Sequence, residues 1–138
     1  MANEIFIDTS GFFALLVQQD DQHQAAQQVM QQARRRKRTF VTSDYVLDET
    51  ATLIKARGYT PLLKPLFHLI DATRALRIEW MDADRFSEMS LFFLKHSDQE
   101  WSFTDCASFC IMKKLRLRDA LTKDAHFQHA GFMALLAK

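Results

Sequence analysis

The chain has 138 residues, of which 48% are hydrophobic, 12% aromatic and 25% charged. This length predicts a single domain over residues 1–138, and the composition excludes wholesale disorder and any need for disulfides or a structural metal. Eighteen Lys and Arg against 17 Asp and Glu give a net charge of +1, which argues against a strongly polybasic nucleic-acid binder but leaves room for a local basic patch.

The first half of the chain alternates short apolar runs with amphipathic stretches. Residues 5–7 predict a buried strand that ends abruptly at Asp8. Four further elements follow: a short helix over 12–17 opened by the turn at 9–11, a helix capped by Asp20-Asp21 that ends in the basic run 34–38, a strand over 39–42, and a helix from Ser43 or Asp44 to Arg57.

The second half continues the alternation. It predicts a helix from Thr60-Pro61 to about Arg74, a strand over 76–80, helices over 82–95 and 103–115, a strand over 119–122 and a candidate fifth strand over 131–136. Strands that alternate with helices predict an α/β, three-layer α/β/α sandwich around a mostly parallel sheet of four to five strands. The carboxyl ends of such strands meet at one edge, where ligands bind.

The sequence predicts a cytoplasmic protein. The longest apolar run near the start, residues 12–17, is too short to cross a bilayer and lacks the basic residues of a signal peptide. Cys106 and Cys110 lie four residues apart in a predicted helix and are interpreted as buried apolar side chains rather than zinc ligands. Such cysteine usage fits a reducing compartment.

Acidic residues follow the predicted strands at the edge where ligands bind. Asp8 and Asp124 come after the first and fourth strands, where an aspartate also serves commonly as a turn or capping residue. On the helix that begins near residue 44, Glu49 lies about 60° from the buried Val46, whereas Asp48 lies about 160° away and faces solvent. Glu49 therefore needs a partner, and a salt bridge is the ordinary alternative.

A fourth carboxylate, Asp105, stands in the first turn of the apolar helix. The run 102–105, Ser-Phe-Thr-Asp, also has the pattern of a capping box. Carboxylates gathered about 4 Å apart repel by roughly 4 kcal/mol per pair at an effective dielectric of about 20. Protonation, counter-charges such as Lys123, or bound cations can relieve this repulsion. A divalent ion does so most directly, and carboxylates suit Mg²⁺ or Mn²⁺, which predicts metal-assisted attack of water on a phosphoryl group.

Four segments in this order resemble the PIN-domain ribonucleases, most closely the VapC-type toxins of toxin–antitoxin pairs. The resemblance spans nearly the whole chain, and the segments that carry it are residues 5–10 (IFIDTS), 42–50 (TSDYVLDET), 102–105 (SFTD) and 121–127 (LTKDAHF). The resemblance implies that four acidic positions hold one or two Mg²⁺ or Mn²⁺ ions and that two hydroxyls support the metal or its water: Asp8, Glu49, Asp105 and Asp124, with Thr104 and Ser10. His126 stands where some members carry a further acid.

The resemblance also implies partners and an activity. Members of the PIN-domain family are parallel-sheet sandwiches that usually dimerise and cleave single-stranded or looped RNA. The toxins among them are held inactive by a cognate antitoxin. The hypothesis is therefore an endoribonuclease in which activated water hydrolyses RNA phosphodiester bonds. The alternative from another class is a PIN-like module that binds RNA or protein without turnover. A phosphoaspartate receiver and an aspartate-nucleophile phosphatase are disfavoured, because Asp8 has no paired acid and Ser10 stands where the phosphatase needs a second Asp.

Three other features keep two interpretations each. The basic run 34–38 either tracks RNA phosphates or is simply solvated at a helix end. The aromatic residues of 92–103 are interpreted as core or dimer contacts rather than base-stacking platforms. His126 and His129 faintly suggest a metal pair, although a local polar contact and a surface residue are the simpler interpretation.

Overall fold

A computed structural model describes residues 3–137. The described chain forms five strands, seven α-helices and one 3₁₀ turn. In chain order these are β1 (Glu4–Ile7), α1 (Thr9–Leu16), α2 (His23–Arg35), β2 (Thr39–Ser43), α3 (Asp44–Ala56), the 3₁₀ turn (Thr60–Leu62), α4 (Leu63–Ala72), β3 (Leu76–Glu79), α5 (Ala83–Lys95), α6 (Phe103–Leu115), β4 (Asp119–Leu121), α7 (Ala125–His129) and β5 (Met133–Ala134).

The strands form one sheet in the order β3-β2-β1-β4-β5, and every pair is parallel. The predicted α/β sandwich is therefore confirmed, with a fully parallel sheet of five strands. From the central strand β1 the chain adds β2 and then β3 on one side of β1. It then crosses back and adds β4 and β5 on the opposite side of β1. Because parallel crossovers are right-handed, α1 to α4 cover one face and α5 to α7 the other. The strand order reverses between β1 and β4, which opens a crevice at their carboxyl ends.

The core fills the space between the sheet and both helical layers. Phe6 on β1 and Phe12 on α1 are fully buried, as are Phe109 on α6 and Phe127 on α7. The rings of Phe109 and Phe127 meet edge to face, with centroids 4.9 Å apart. An aromatic pair of this geometry adds about 0.5–1.5 kcal/mol to the burial of its area. The packing fixes α7, and with it the loop that follows β4.

The first helix begins earlier than predicted. The turn expected at residues 9–11 is already helical, because α1 starts directly after Asp8. Gly11 lies inside the helix, where a Cβ atom would stand only 2.1 Å from the carbonyl oxygen of Leu121. Glycine therefore allows α1 to lie against the end of β4, a tertiary requirement that local turn propensity does not show.

Other boundaries also differ from prediction. The helix expected from residue 60 to about 74 is a 3₁₀ turn followed by α4, which ends at Ala72. Asp20 does not cap α2 directly: the N-cap is Gln22, whose backbone N–H donates to the Asp20 carboxylate. The helix α7 was not predicted, and β5 has only two residues.

Among the helices of the described residues, none combines the length and the apolar character that a membrane span requires.

Candidate metal centre

Asp8 occupies the crevice where the strand order reverses. It follows β1 directly, and its residue surface is only 6% exposed. Burial raises the pKa of the Asp8 carboxyl from 3.8 to about 7, and the nearby charges of Asp105 and Glu49 add to this rise, whereas hydrogen bonds from Thr122 and the Thr9 backbone oppose it. The protein thus holds a carboxylate where negative charge is costly.

A hydrogen-bond chain ties Asp8 to the loop after β4. The Thr122 hydroxyl donates to Oδ2 of Asp8 at 2.9 Å and accepts from the backbone N–H of Asp124 at 3.0 Å. The Ser10 hydroxyl lies 3.1 Å from that of Thr122 and accepts from the backbone N–H of Lys123 at 2.9 Å. Ser10 and Thr122 therefore fix the loop that carries Asp124 against the start of α1.

Glu49 reaches the same crevice from α3. The residue is exposed, but its Oε1 accepts a hydrogen bond of 2.6 Å from the Thr9 hydroxyl. Thr9 is 6% exposed and is the neighbour of Asp8 in the chain. Asp48, which was predicted to face solvent, is exposed. Glu49 is exposed too, rather than at the margin of the buried face where the projection placed it, but it contacts Thr9 and lines the cavity that holds Asp8.

Asp105, Asp124 and His126 form a compact group of possible ligands. One ligand atom from each residue lies within 4.8 Å of the other two. The ring Nδ1 of His126 is 3.2 Å from Oδ2 of Asp105 and 3.5 Å from Oδ1 of Asp124. Asp105 also closes the predicted capping box, since Oδ2 accepts from the Ser102 backbone N–H at 3.1 Å. One carboxylate therefore serves both as cap and as member of the acidic group.

The cations near the crevice do not neutralise these acids. The Lys123 ammonium pairs with Asp20 at 2.7 Å and with Asp21 at 2.8 Å. Within residues 3–137, no Lys or Arg side chain forms an ion pair with any of the four predicted acidic residues. The salt bridge considered for Glu49 and the counter-charge considered for Lys123 are therefore both absent there.

The acids open onto a cavity of about 320 Å³. Its lining includes Asp8, Glu49 and Asp124, together with the Arg57 guanidinium, which also lies 5.2 Å from the ring centre of Phe13. Thr104 is half-buried and lines a neighbouring cavity of about 520 Å³ that shares Glu49. The two cavities together give room for an extended ligand along this edge.

The residue types at this edge fit a divalent cation. Four carboxylates and one imidazole supply mainly oxygen donors, the set preferred by Mg²⁺ and Mn²⁺. The Asp8 carboxyl is buried beside other carboxylates and has only hydroxyl and amide donors as partners, so a bound cation would supply the missing positive charge. The acidic cluster is thus consistent with a metal site.

Sequence reasoning missed several residues of this site. Thr122, Thr9 and Arg57 were not singled out. Thr122 directly follows β4, and Thr9 follows Asp8 at the end of β1, so both lie at the predicted ligand edge. His126 makes the local polar contact with the acids, and His129 is exposed with its ring centre 6.3 Å from that of His126.

Fold and site together define a class of protein with a parallel sheet and an acidic centre at its carboxyl edge. The chain belongs to the PIN domain family, which matches residues 5–133.

Particular relatives narrow this further. The chain is 32% identical over 94 residues to the 23S rRNA-specific endonuclease VapC20 of two Mycobacterium tuberculosis strains, CDC 1551 / Oshkosh and ATCC 25618 / H37Rv. The match covers 67% of this chain and 70% of each relative. The crystal structure of Mycobacterium tuberculosis VapC20, a sarcin-ricin loop cleaving toxin, matches with a TM-score of 0.79 at 30% identity, covering 93% of this chain and 95% of that one. The chain is therefore a homologue of an endoribonuclease toxin.

Proposed function

We propose that this single domain, residues 1–138, is a divalent-metal-dependent endoribonuclease and the toxin of a toxin–antitoxin pair. The observation that carries the proposal is the buried Asp8 at the crevice between β1 and β4, surrounded by acids and without a cationic partner among the described residues. The VapC20 relatives support RNA as the substrate class, with 23S rRNA as the first RNA to test. Such an enzyme acts in the cytoplasm, where its substrate is.

The proposed roles follow from the contacts. Asp8, Glu49, Asp105 and Asp124 hold one or two Mg²⁺ or Mn²⁺ ions, with His126 beside Asp105 and Asp124. When bound, the ion lowers the pKa of water for attack on phosphorus and offsets the charge that develops on the phosphate oxygens. Ser10 holds the loop of Asp124 in place. Thr104 lines the same cavity as Glu49 and offers its hydroxyl to the metal shell or to the water.

Cleavage of a mixed RNA pool that contains 23S rRNA tests the enzyme. We expect cuts with Mg²⁺ or Mn²⁺ and none with EDTA. Glu49→Gln should lower the rate by on the order of 10²-fold or more, since it removes one carboxylate charge from the centre. Asp48→Asn is the matched control, because it removes the same charge from the neighbouring residue, which does not line the cavity that holds Asp8. An Asp48→Asn effect equal to that of Glu49→Gln would contradict the assignment.

The same pool separates the enzyme from a binding module. RNA that is retained in EDTA and left intact with both ions would favour the module. Thermal shift then identifies the ion: we expect Mg²⁺ or Mn²⁺ to raise the Tm of the wild-type chain and not that of Asp8→Asn. Because imidazole suits manganese better than magnesium, His126→Ala should weaken Mn²⁺ binding more than Mg²⁺ binding.

A homodimer forms part of the proposal. Large apolar side chains are exposed after β3 and along α5: Trp80 is 63%, Leu91 70% and Leu94 68% exposed. Charged pairs border this surface, among them Arg85 with Glu79 at 2.5 Å. An apolar centre with a polar border is typical of a protein interface. A second copy of the chain is the proposed occupant, as is usual in the family.

Light scattering tests the dimer. We expect a mass of two chains for the wild type and of one chain for Leu91→Glu/Leu94→Glu. The exposed Lys55→Glu, on α3 away from this surface, changes the charge by the same amount and is the control. A monomeric wild type would contradict this part. The antitoxin partner is tested by expression in a bacterial host: wild type should arrest growth, Asp8→Asn should not, and a neighbouring gene product should restore growth.

A further inference from the structure

The opposite edge of the sheet, where the strands begin, carries a cluster of cations. We call it the basic edge and define it by seven residues: Arg34, Arg35, Arg36, Lys37, Arg38, Arg116 and Arg118. The first five precede β2 and the last two precede β4, so both segments reach the same edge. Six of the seven are exposed, and Arg38 is half-buried.

The charge of this edge is hardly neutralised. Among the described residues, Asp119 is the only carboxylate that pairs with any of the seven cations. The whole chain has a net charge of only +1, so the positive charge is strongly segregated. Segregated charge of this kind attracts polyanions and steers their approach.

A cavity of about 230 Å³ lies within the basic edge. Arg36, Arg38 and Arg118 line it together with the Asp119 carboxylate, above an apolar base that includes Ile5 and Leu135, so three positive charges face one negative charge. Three guanidinium groups around one recess are suited to phosphate, because the planar fork of each can donate two hydrogen bonds to phosphate oxygens.

Two of these guanidinium groups are held in place. Asp119 accepts from Nη2 of Arg38 at 3.0 Å and from Nε of Arg118 at 3.2 Å, and its side chain is 8% exposed. Arg38 Nε also donates to the Asn3 carbonyl at 3.4 Å. Both Nη groups of Arg118 stay without a protein partner within residues 3–137. Arg38, which is held by two acceptors and whose side chain is 22% exposed, loses little side-chain entropy when it binds an anion, whereas the side chain of Arg118 is 78% exposed and is held by Asp119 alone.

Two residues of the basic edge have an unusual backbone conformation. Lys37 and Arg116 have φ angles of 55° and 56°, in the left-handed region that favours glycine. The chain thus places a long cation at both positions, where glycine would cost less conformational energy. Both positions follow the C-terminus of a helix, where a cation also interacts favourably with the helix dipole.

We propose that the basic edge binds the phosphate backbone of the substrate RNA away from the scissile bond. The inference rests on the proposed function, because it takes the polyanion to be the RNA that the acidic centre cuts. Asp105 in the first turn of α6 and Arg116 at the other end of this helix are about 17 Å apart along its axis, so an RNA that folds around the domain can reach both edges. A charge spread over seven cations fits a backbone with one charge per nucleotide better than a short acidic peptide.

Direct binding tests this without cleavage. The probe is a fluorescent RNA stem-loop in EDTA, measured by anisotropy at several salt concentrations. Arg36→Gln/Arg118→Gln should bind at least about 10-fold more weakly, and the slope of log K against log salt should fall by about one per lost phosphate contact. Arg38 is retained so that Asp119 keeps a partner. The control Lys55→Gln/Lys64→Gln removes two exposed charges of α3 and α4 and should bind like the wild type.

Unchanged affinity and salt slope in Arg36→Gln/Arg118→Gln would overturn the inference. So would poly-glutamate that displaces the RNA from the wild type as readily as unlabelled RNA does, since the edge would then suit an acidic protein. Cleavage kinetics separate this inference from the proposed function. The variant should raise KM for the stem-loop with kcat unchanged, and should cut a short unstructured oligonucleotide normally. A wild type that binds RNA through this edge but cuts nothing with either ion would refute the nuclease and leave the RNA site standing.

Discussion

One buried aspartate lies at each edge of the central sheet, and the two differ in their partners: one pairs with cations and the other does not. Asp119 at the amino edge and Asp8 at the carboxyl edge are both 6% exposed. Asp119 lies between the guanidinium groups of Arg38 and Arg118. Asp8 receives hydrogen bonds but no cation of the described chain, and burial together with Asp105 and Glu49 raises its pKa to about 7.

Under the proposed function, this difference separates a structural carboxylate, Asp119, from a functional one, Asp8. A buried ion pair is complete within the fold, so its removal is felt in stability. A buried carboxylate that lacks its counter-ion is costly to the fold and is retained where chemistry uses it. The nearest ammonium, Lys123, is held by Asp20 and Asp21 instead, which leaves the acidic centre free for an external cation.

The largest expected effect is on catalysis. Asp8→Asn should lower RNA cleavage by on the order of 10³-fold, because it removes a charged ligand from the proposed metal centre. Asp119→Asn should leave kcat per folded molecule within about twofold of the wild type. Single-turnover cleavage with the folded fraction measured in parallel checks both. Equal losses in the two variants would mean that the edges do not differ in function.

The next effect is the pH dependence of stability without metal. The Asp8 carboxyl has a pKa of about 7 in the folded chain against an ordinary 3.8, so between these values the folded state keeps a proton that the unfolded state has lost. The free energy of unfolding therefore falls as pH rises through this window, by up to about 4 kcal/mol in all and by about 3 kcal/mol from pH 5 upward, and this contribution levels off above pH 7. Urea unfolding in EDTA at pH 5 and pH 8 measures it.

Two controls sharpen this measurement. Asp8→Asn cannot ionise, so its stability should fall much less between pH 5 and pH 8. Saturating Mg²⁺ or Mn²⁺ at pH 8 should restore stability to the wild type, since the ion favours the charged carboxylate. An identical pH dependence in wild type and Asp8→Asn would assign the proton to another group.

A smaller loss is expected at the amino edge. Asp119→Asn leaves Arg38 and Arg118 facing a neutral amide. It should reduce the free energy of unfolding by about 2–3 kcal/mol, since removing one partner of a buried ion pair leaves the other charge uncompensated. Arg118 is mostly exposed, so most of the loss comes from Arg38. Urea unfolding at pH 8 measures this loss of free energy of unfolding. A variant as stable as the wild type would show that the Asp119 carboxylate does not stabilise the fold.

Sequence reasoning predicted the positions of residues at the carboxyl edge of the sheet well. Asp8 was placed because β1 ends abruptly in it, and the bounds of α6 were correct because an apolar run follows the capping box of Ser102 and Asp105. Angular position separated Glu49 from Asp48, although both are exposed. These signals are local: each rests on residues within a few positions of one another.

What sequence reasoning missed depends on long-range packing. The early start of α1 follows from the contact between Gly11 and the Leu121 carbonyl, more than a hundred residues away. The bond from Thr122 to Asp8 spans 114 positions, and α7 has only five residues, too few for a periodic pattern. The pairing of Arg38 with Asp119 likewise depends on β2 and β4 flanking β1, which no local pattern reveals.

The smallest effect tests how the acidic centre is tuned. Thr122→Val removes the hydroxyl that donates to Asp8 and accepts from the Asp124 backbone, and it should cost about 1 kcal/mol of stability. The pKa of Asp8 should rise further above about 7, because the lost bond favoured the charged form. Thr42→Val is the matched control: its fully buried hydroxyl donates 2.8 Å to the Ile7 carbonyl. Both variants should lose similar stability at pH 5, but only Thr122→Val should shift the midpoint of metal binding to higher pH.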